Sequence, residues 1–193
     1  MNAGESGNAD PVGLPLPPFR DCIAMQLHAD ASALASGLFR ESFGEDFPRP
    51  RAIQFGAVRA EVRDWRQVVA LYRWPDGREE CVGFVNWIKF RNGYLGGALS
   101  VKRDFYRRLP SEHYQECRRR GGVAQIMLEF CERALTDGDS WFAYCGDTKS
   151  LRVNTRVGFV TTDHRYILVK WFKEPSAAEA RARIDEVAAL GPF

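Results

Sequence analysis

Arg118-Arg119-Arg120-Gly121-Gly122-Val123-Ala124, running into Ile126, Met127, Phe130 and Ala134, is the stretch on which the fold reading turns. From Val123 the apolar residues recur at helical spacing, with Glu129, Glu132 and Arg133 on the other side. The spacing predicts an amphipathic helix from Gly122 to a stop at Asp137-Gly138. Glycines at a helix start leave backbone N–H groups sterically open, and the helix N-terminus adds partial positive charge. Together they suit a phosphate, and flanking arginines can add bidentate bonds. A Gly-Gly pair alone more often only turns the chain into the helix. No Gly-Lys-Ser/Thr follows the glycines and no G-x-G-x-x-G turn is present, so nucleotide hydrolysis and hydride transfer lose support.

Upstream, Val68 to Trp74, the turn Pro75-Asp76-Gly77, Glu80 to Phe90, the turn Arg91-Asn92-Gly93 and Tyr94 to Val101 predict an antiparallel meander of three strands. Before it, Cys22 to Leu27 reads as a short strand. Ser32 then caps a helix carrying Leu34, Leu38 and Phe39 and ending near Gly44. Arg51 to Arg66 alternates enough for a strand but has no firm boundary. Downstream, Trp141 to Cys145 is a short apolar strand, Asp147 to Arg156 a short helix, Arg165 to Phe172 a strand and Ser176 to Leu190 a surface helix. Lys102 to Arg118 is polar, contains Pro110 and reads as a connection with a short helix after Ser111. The expected class is α+β: a mixed, mostly antiparallel sheet flanked by helices.

With 193 residues and 45% hydrophobic content, the chain suits one compact domain. Residues 1–18 are rich in Gly, Asn, Ala and Pro and read as a flexible tail. Residues 19–175 form the domain, and 176–193 add a C-terminal helix packed on it. The 27 basic and 25 acidic residues are mixed along the chain, giving +2 and no broad cationic face. Arg118, Arg119 and Arg120, without interleaved aromatics, are a weak footprint for nucleic acid. Five widely spaced cysteines imply a reduced, cytoplasmic compartment and no metal clamp. The start lacks a signal-peptide pattern, and no apolar run approaches the roughly 20 residues of a membrane span.

The order of these elements resembles the GNAT superfamily of acyl-CoA-dependent N-acyltransferases. Arg119-x-x-Gly122-x-Ala124 fits that family's Gln/Arg-x-x-Gly-x-Gly/Ala pyrophosphate loop. Asp147, Ser150, Asn154 and Gly158-Phe159 fall at the offsets of its second motif, an Asn-x-x-Ala/Ser helix, a Tyr and a Gly-Phe. The resemblance covers Val68 to Phe172. It implies a splayed strand pair at the acyl-CoA site and direct transfer of an acyl group, acetyl in the first instance, from the thioester to an amine. Arg119, Arg120, Gly121, Gly122, Val123, Ala124 and Ser150 would hold the cosubstrate, with Leu99 and Val101 pairing to its pantetheine arm through main-chain groups. The implied partners are a small-molecule or protein amine, with room for a homodimer, and neither nucleic acid nor membrane.

Two departures stand out. Asp147 replaces the usual Asn and serves equally as a helix cap. Asn154 stands where relatives place the Tyr that protonates the departing thiolate; an amide cannot do this, so the role is moved or left to water. Tyr144, His113, Glu112 and the early carboxylates are the candidates for a base, and none stands out. Cys145 reads as a buried structural thiol. Leu34, Leu38, Phe39, Phe43 and Phe47 form core or a greasy substrate wall. The Lys102 to Arg118 connection is a surface insertion or a cover on the substrate side. A sensor that binds acyl-CoA without turnover is the alternative function.

Overall fold

The computed structural model describes residues 22–44, 53–55, 58–60 and 65–192. The proposed tail, Phe47 and most of Arg51 to Arg66 lie outside the described residues. The chain runs β1 (Ile23–His28), α1 (Ser32–Phe43), β2 (Ile53–Phe55), β3 (Val58–Ala60), β4 (Trp65–Arg73), β5 (Glu79–Phe90) and β6 (Gly93–Val101). It continues through α2 (Phe105–Arg108), α3 (Ser111–Arg119), α4 (Val123–Ala134), β7 (Ser140–Tyr144), α5 (Thr148–Arg156), β8 (Val160–Thr161), β9 (Ile167–Trp171) and α6 (Ala177–Ala189).

Seven strands form one mixed sheet in the order β1-β4-β5-β6-β7-β9-β8, and β2 pairs with β3 separately. Only β6 and β7 run parallel within the seven. This is the mostly antiparallel, helix-flanked sheet expected from the sequence. The three-stranded meander is present as β4, β5 and β6. β4 and β5 are buried on both faces, which is why their apolar residues run almost continuously instead of alternating. At the first turn Asp76 accepts the Arg78 N–H and Gly77 takes a positive φ of 84°.

Each face of the sheet has its own core. On one, α4 presents Val123, Ile126, Met127, Leu128 and Phe130 to Val68, Val85, Trp87, Tyr94 and Trp141. Each such fully buried aliphatic or Phe side chain contributes about 1.5–3 kcal/mol. On the other, α1 covers Val69, Leu71 and Phe84 with Ala35, Leu38 and Phe39, while Val187 and Leu190 at the end of α6 cover Leu95 and Phe142. The apolar series of α1 therefore divides: Leu38 and Phe39 are core, whereas Leu34 and Phe43 stay 40% and 44% exposed.

Several boundaries differ from expectation. Ala31, not Ser32, is the N-cap of α1, because the Asp30 carboxylate takes the Ser32 N–H and the buried Gln67 accepts the Ala31 N–H. β8, two residues long, carries no periodicity to read. The Lys102 to Arg118 connection folds as α2 and α3, and its Phe105 and Cys117 enter the principal core, so it is more than a surface insertion.

A cluster of charges ties α2 to the sheet. Glu80 receives Arg108 at 2.7 Å, Lys102 at 3.1 Å and the Trp74 indole N–H at 2.7 Å, with the Arg108 guanidinium 4.3 Å above the Trp74 ring. Burial opposes the charged form of Glu80, but hydrogen bonds from Arg108, Lys102 and Trp74 outweigh it and hold the carboxyl at about 2, below its ordinary 4.5. A depressed carboxylate stabilises the fold fully above its unfolded value and loses that contribution as pH falls towards its folded value. Glu80→Gln should therefore lower Tm at pH 7 and flatten the Tm decline between about pH 4.5 and 2. Parallel acid profiles for parent and variant would show that Glu80 carries no such linkage.

Candidate active site

The site is built from the one parallel junction of the sheet. β6 and β7 pair through Tyr94 with Trp141, Leu95 with Phe142 and Gly96 with Ala143. No further pairs join them, although β6 continues to Val101, so the β7-facing backbone edge of β6 beyond Gly96 is open. A bulge adds to the opening. Val85 faces Leu99 and Trp87 faces Gly96, so Gly97 and Ala98 together stand opposite Asn86 alone. Gly96 is required here, because a Cβ would lie 2.8 Å from the Trp87 ring.

The fork opens into a cavity of about 370 Å³ lined by Gly96, Gly97, Ala98, Leu99, Ala143, Tyr144, Cys145 and Asn154, among others. Beyond Leu99 a second hollow of about 600 Å³ follows Ser100 and Val101 to Lys102, Arg103, Tyr106 and Ala124. Phe43, Leu99, Asp147 and Ser150 border both, so the two form one cleft running from the fork to the start of α4.

The glycine pair directly precedes Val123 and Ala124, the latter bordering the cleft at its far end. Gly121 and Gly122 have φ of 81° and 97°. The Gly121 N–H donates to the Arg118 carbonyl and the Gly122 N–H to that of Cys117, which closes α3 as a Schellman cap. The Val123 N–H donates to the Tyr106 hydroxyl at 2.9 Å. Three amides assigned to the phosphate by sequence thus have partners within the protein, for the physical reason that α3 ends where α4 begins. Helical geometry leaves the next two N–H groups of α4, on Ala124 and Gln125, without carbonyl partners, and Ala124 borders the cleft. Burial pushes the Tyr106 phenol up, outweighing the Val123 N–H, so the hydroxyl keeps its proton and can donate it to an anion.

Arg119 and Arg120 lie on the opposite side of the turn. Both pair with the buried Glu116, Arg120 at 2.6 Å, and border an open hollow with Arg118, Gly121, Gln125, Glu129 and Arg156. The cations that border the cleft are Lys102, Arg103 and Lys149, with Lys102 held between Glu41 at 3.4 Å and Glu80 at 3.1 Å. Tyr106 and these cations were missed in the sequence. The one signal was a basic pair directly after an apolar strand.

At the fork, Tyr144 borders the cavity with its ring 5.5 Å from that of Tyr166. Asn154 is 5% exposed and donates to the Ser150 carbonyl at 2.9 Å and the Cys145 sulfur at 3.3 Å. Burial pushes the Cys145 thiol up. Asp147 caps α5 as expected, its Oδ1 accepting the Ser150 and Lys149 N–H groups, which holds its carboxyl below the ordinary range. His113 is not brought to the cleft: its ring meets the Tyr72 hydroxyl at 2.6 Å beside the core. Glu112, next to it on α3, does not border the cleft either. The described residues contain no group of three or more His, Cys, Asp or Glu side chains able to hold a metal ion, and no helix long and apolar enough to cross a membrane.

No protein-family model matches the chain, and no curated protein matches it in sequence. Solved structures do. PaiA N-acetyltransferase from Thermoplasma acidophilum, in complex with coenzyme A, is 15% identical with a TM-score of 0.41. That match covers 56% of this chain and 62% of PaiA, so the chain spans less than two thirds of its length. Ribosomal-protein-S5-alanine acetyltransferase from Vibrio fischeri is 12% identical over 80% of this chain and 97% of that one, with a TM-score of 0.45. The KacTA–DNA complex is 12% identical over 84% and 99%, with a TM-score of 0.40. These are likenesses of fold at low identity, each with a TM-score under 0.5.

Gly122 is a poor probe of anion binding, because a Cβ there would meet the Tyr106 hydroxyl at 2.8 Å and the φ of 97° strains any side chain. Ala124→Glu is the better one. An acidic residue in the first turn suits the helix dipole, so Tm should hold, while any affinity for the phosphates of CoA at this helix start should fall about tenfold or more through repulsion. Parental affinity in a natively folded variant, measured by calorimetry, would move the phosphate away from this helix start.

Proposed function

We propose that the chain is an acyl-CoA-dependent N-acyltransferase that binds its thioester substrate along the open edge of β6. The observation that carries this reading is the cleft itself. It offers an unpaired strand edge for an amide-bearing arm, a helix start with free N–H groups for a pyrophosphate, and a small-residue fork for the reacting carbonyl. Leu99 and Val101 supply main-chain partners for the arm, Ala124 and Tyr106 meet the phosphates, and Ser150 borders the middle of the cleft. Arg119 and Arg120, turned to the far side, would reach only the outlying part of the cosubstrate.

Direct attack of an amine on the thioester carbonyl requires the amine to lose one proton and the CoA sulfur to leave as thiolate. Asn154 has no titratable proton, Asp147 is occupied as a cap, and Cys145 is held as a thiol. Among the described residues bordering the fork, Tyr144 is the group able to relay a proton. Catalysis then rests chiefly on positioning, with solvent completing the proton transfers. The acceptor is an amine that enters from the Tyr144 side. A binding module without turnover is a second reading, favoured by the inward turn of Asn154, whose amide already has two partners.

Millimolar CoA should raise Tm, as any ligand selective for the native state does, and no shift with folded protein would overturn the reading. Thiol release from acyl-CoA with an amine present separates enzyme from module. In that assay Asn154→Ala should cost less than the 10²–10⁴-fold typical of a lost general acid. A collapse to background with unchanged CoA affinity would assign Asn154 to the chemical step.

A further inference from the structure

Where β6 and β7 meet at Gly96 and Ala143, anything lying along the β6 edge must leave the plane of the sheet, because the next hydrogen bonds belong to the two strands. The two ways out differ in chemistry. On the α1 face stand Ala98, the exposed Phe43 and Tyr144, at a mouth open to solvent. On the α4 face the cavity is walled by Val85, Trp87, Leu99, Leu128, Ala143 and Cys145, which all belong to or pack on the principal core. Three polar residues border the cavity here: Asn154 is turned to Ser150 and Cys145, while Asp147 and Ser150, at the join with the second hollow, are engaged in capping α5.

Resting on the reading that the cleft holds an acyl-CoA, we propose that the acyl group enters the α4-face end of the cavity and is a short aliphatic chain longer than acetyl, butyryl to hexanoyl. A site for a charged or hydroxylated acyl group would place a polar partner on these walls, and a two-carbon group would leave most of them untouched. The cavity, about 370 Å³, lies near the small end of the range for ligand pockets. Two fully buried side chains of the principal core stand in its wall. Trp87 is 1% exposed, with its ring 4.5 Å from that of Trp141, and Leu128 is equally buried on α4. This wall stops a long chain, so palmitoyl is excluded. The opposite mouth, beside Tyr144, is left to the amine.

The test is calorimetric titration of the full chain with free CoA and with acetyl-, butyryl-, hexanoyl- and palmitoyl-CoA, which needs no acceptor. Affinity should rise from acetyl to hexanoyl, by at most about fourfold per methylene, the equivalent of about 0.8 kcal/mol for each buried CH₂, and fall for palmitoyl. Ala143→Val should shrink the hexanoyl-to-acetyl affinity ratio by narrowing the cavity, and Leu128→Ala should move the optimum to longer chains. Taking the ratio within one variant cancels any general loss of affinity, and using walls from a strand and a helix guards against one variant failing to fold. Equal or weaker binding of hexanoyl-CoA than acetyl-CoA in the parent, or palmitoyl as tight as hexanoyl, overturns the inference while CoA binding stands. Failure of free CoA to bind overturns the acyl-CoA reading with it.

Discussion

Three residue pairs hold β6 against β7, and the properties of the site depend on the pairing ending at Gly96 and Ala143. A sheet that stayed zipped to Val101 would have no open edge, no cavity and no route to the start of α4. The β6 bulge at Gly97 and Ala98 and the absence of a Cβ at Gly96 keep the fork clear, while Trp87 fills the space beneath. The divergence leaves backbone groups of β6 in contact with the cleft, where solvent or a ligand satisfies them.

The far end of the cleft depends on a second constraint, the placement of α2 and α3 between β6 and α4. Arg108, Lys102 and Trp74 fix α2 to Glu80, and Tyr106, from the same short helix, reaches the first N–H of α4. Charge therefore enters the cleft in a controlled way. Lys102 already has two carboxylate partners, whereas Lys149, at the start of α5, has its backbone N–H capped by Asp147 and its side chain bordering the hollow.

Much of this was legible in the sequence. The period of Val123, Ile126, Met127 and Phe130 located α4, the two turns located the meander, and Asp147 and Ser176 marked the starts of α5 and α6, the latter through a capping box with Glu179. What escaped was non-local. Phe105 and Cys117 enter the core singly from polar segments, leaving no periodic trace. The role of Gly121-Gly122 was ambiguous because positive φ serves a helix C-cap and an anion loop equally. The decision lay in whether the short helix after Ser111 runs up to the glycines, which it does, ending at Arg119. His113 and Tyr106 both lie in the same stretch, and only the packing of α2 and α3 separates the one beside Tyr72 from the one at the cleft.

The cleft is also a seam in the architecture. β4, β5 and β6 join strands adjacent along the chain, but β7 reaches β6 only after α2, α3 and α4 have intervened, so this short junction, like that of β1 with β4, bears the entropy of closing a long loop. With three residue pairs it is the shortest junction of the main sheet after that of the two-residue β8 with β9, which makes it a line for partial opening at less than the free energy of global unfolding. A ligand lying in the cleft touches β6 on one side and the segment from β7 into α5 on the other. Occupancy would therefore bridge two stretches of chain that the sheet itself joins through three residue pairs.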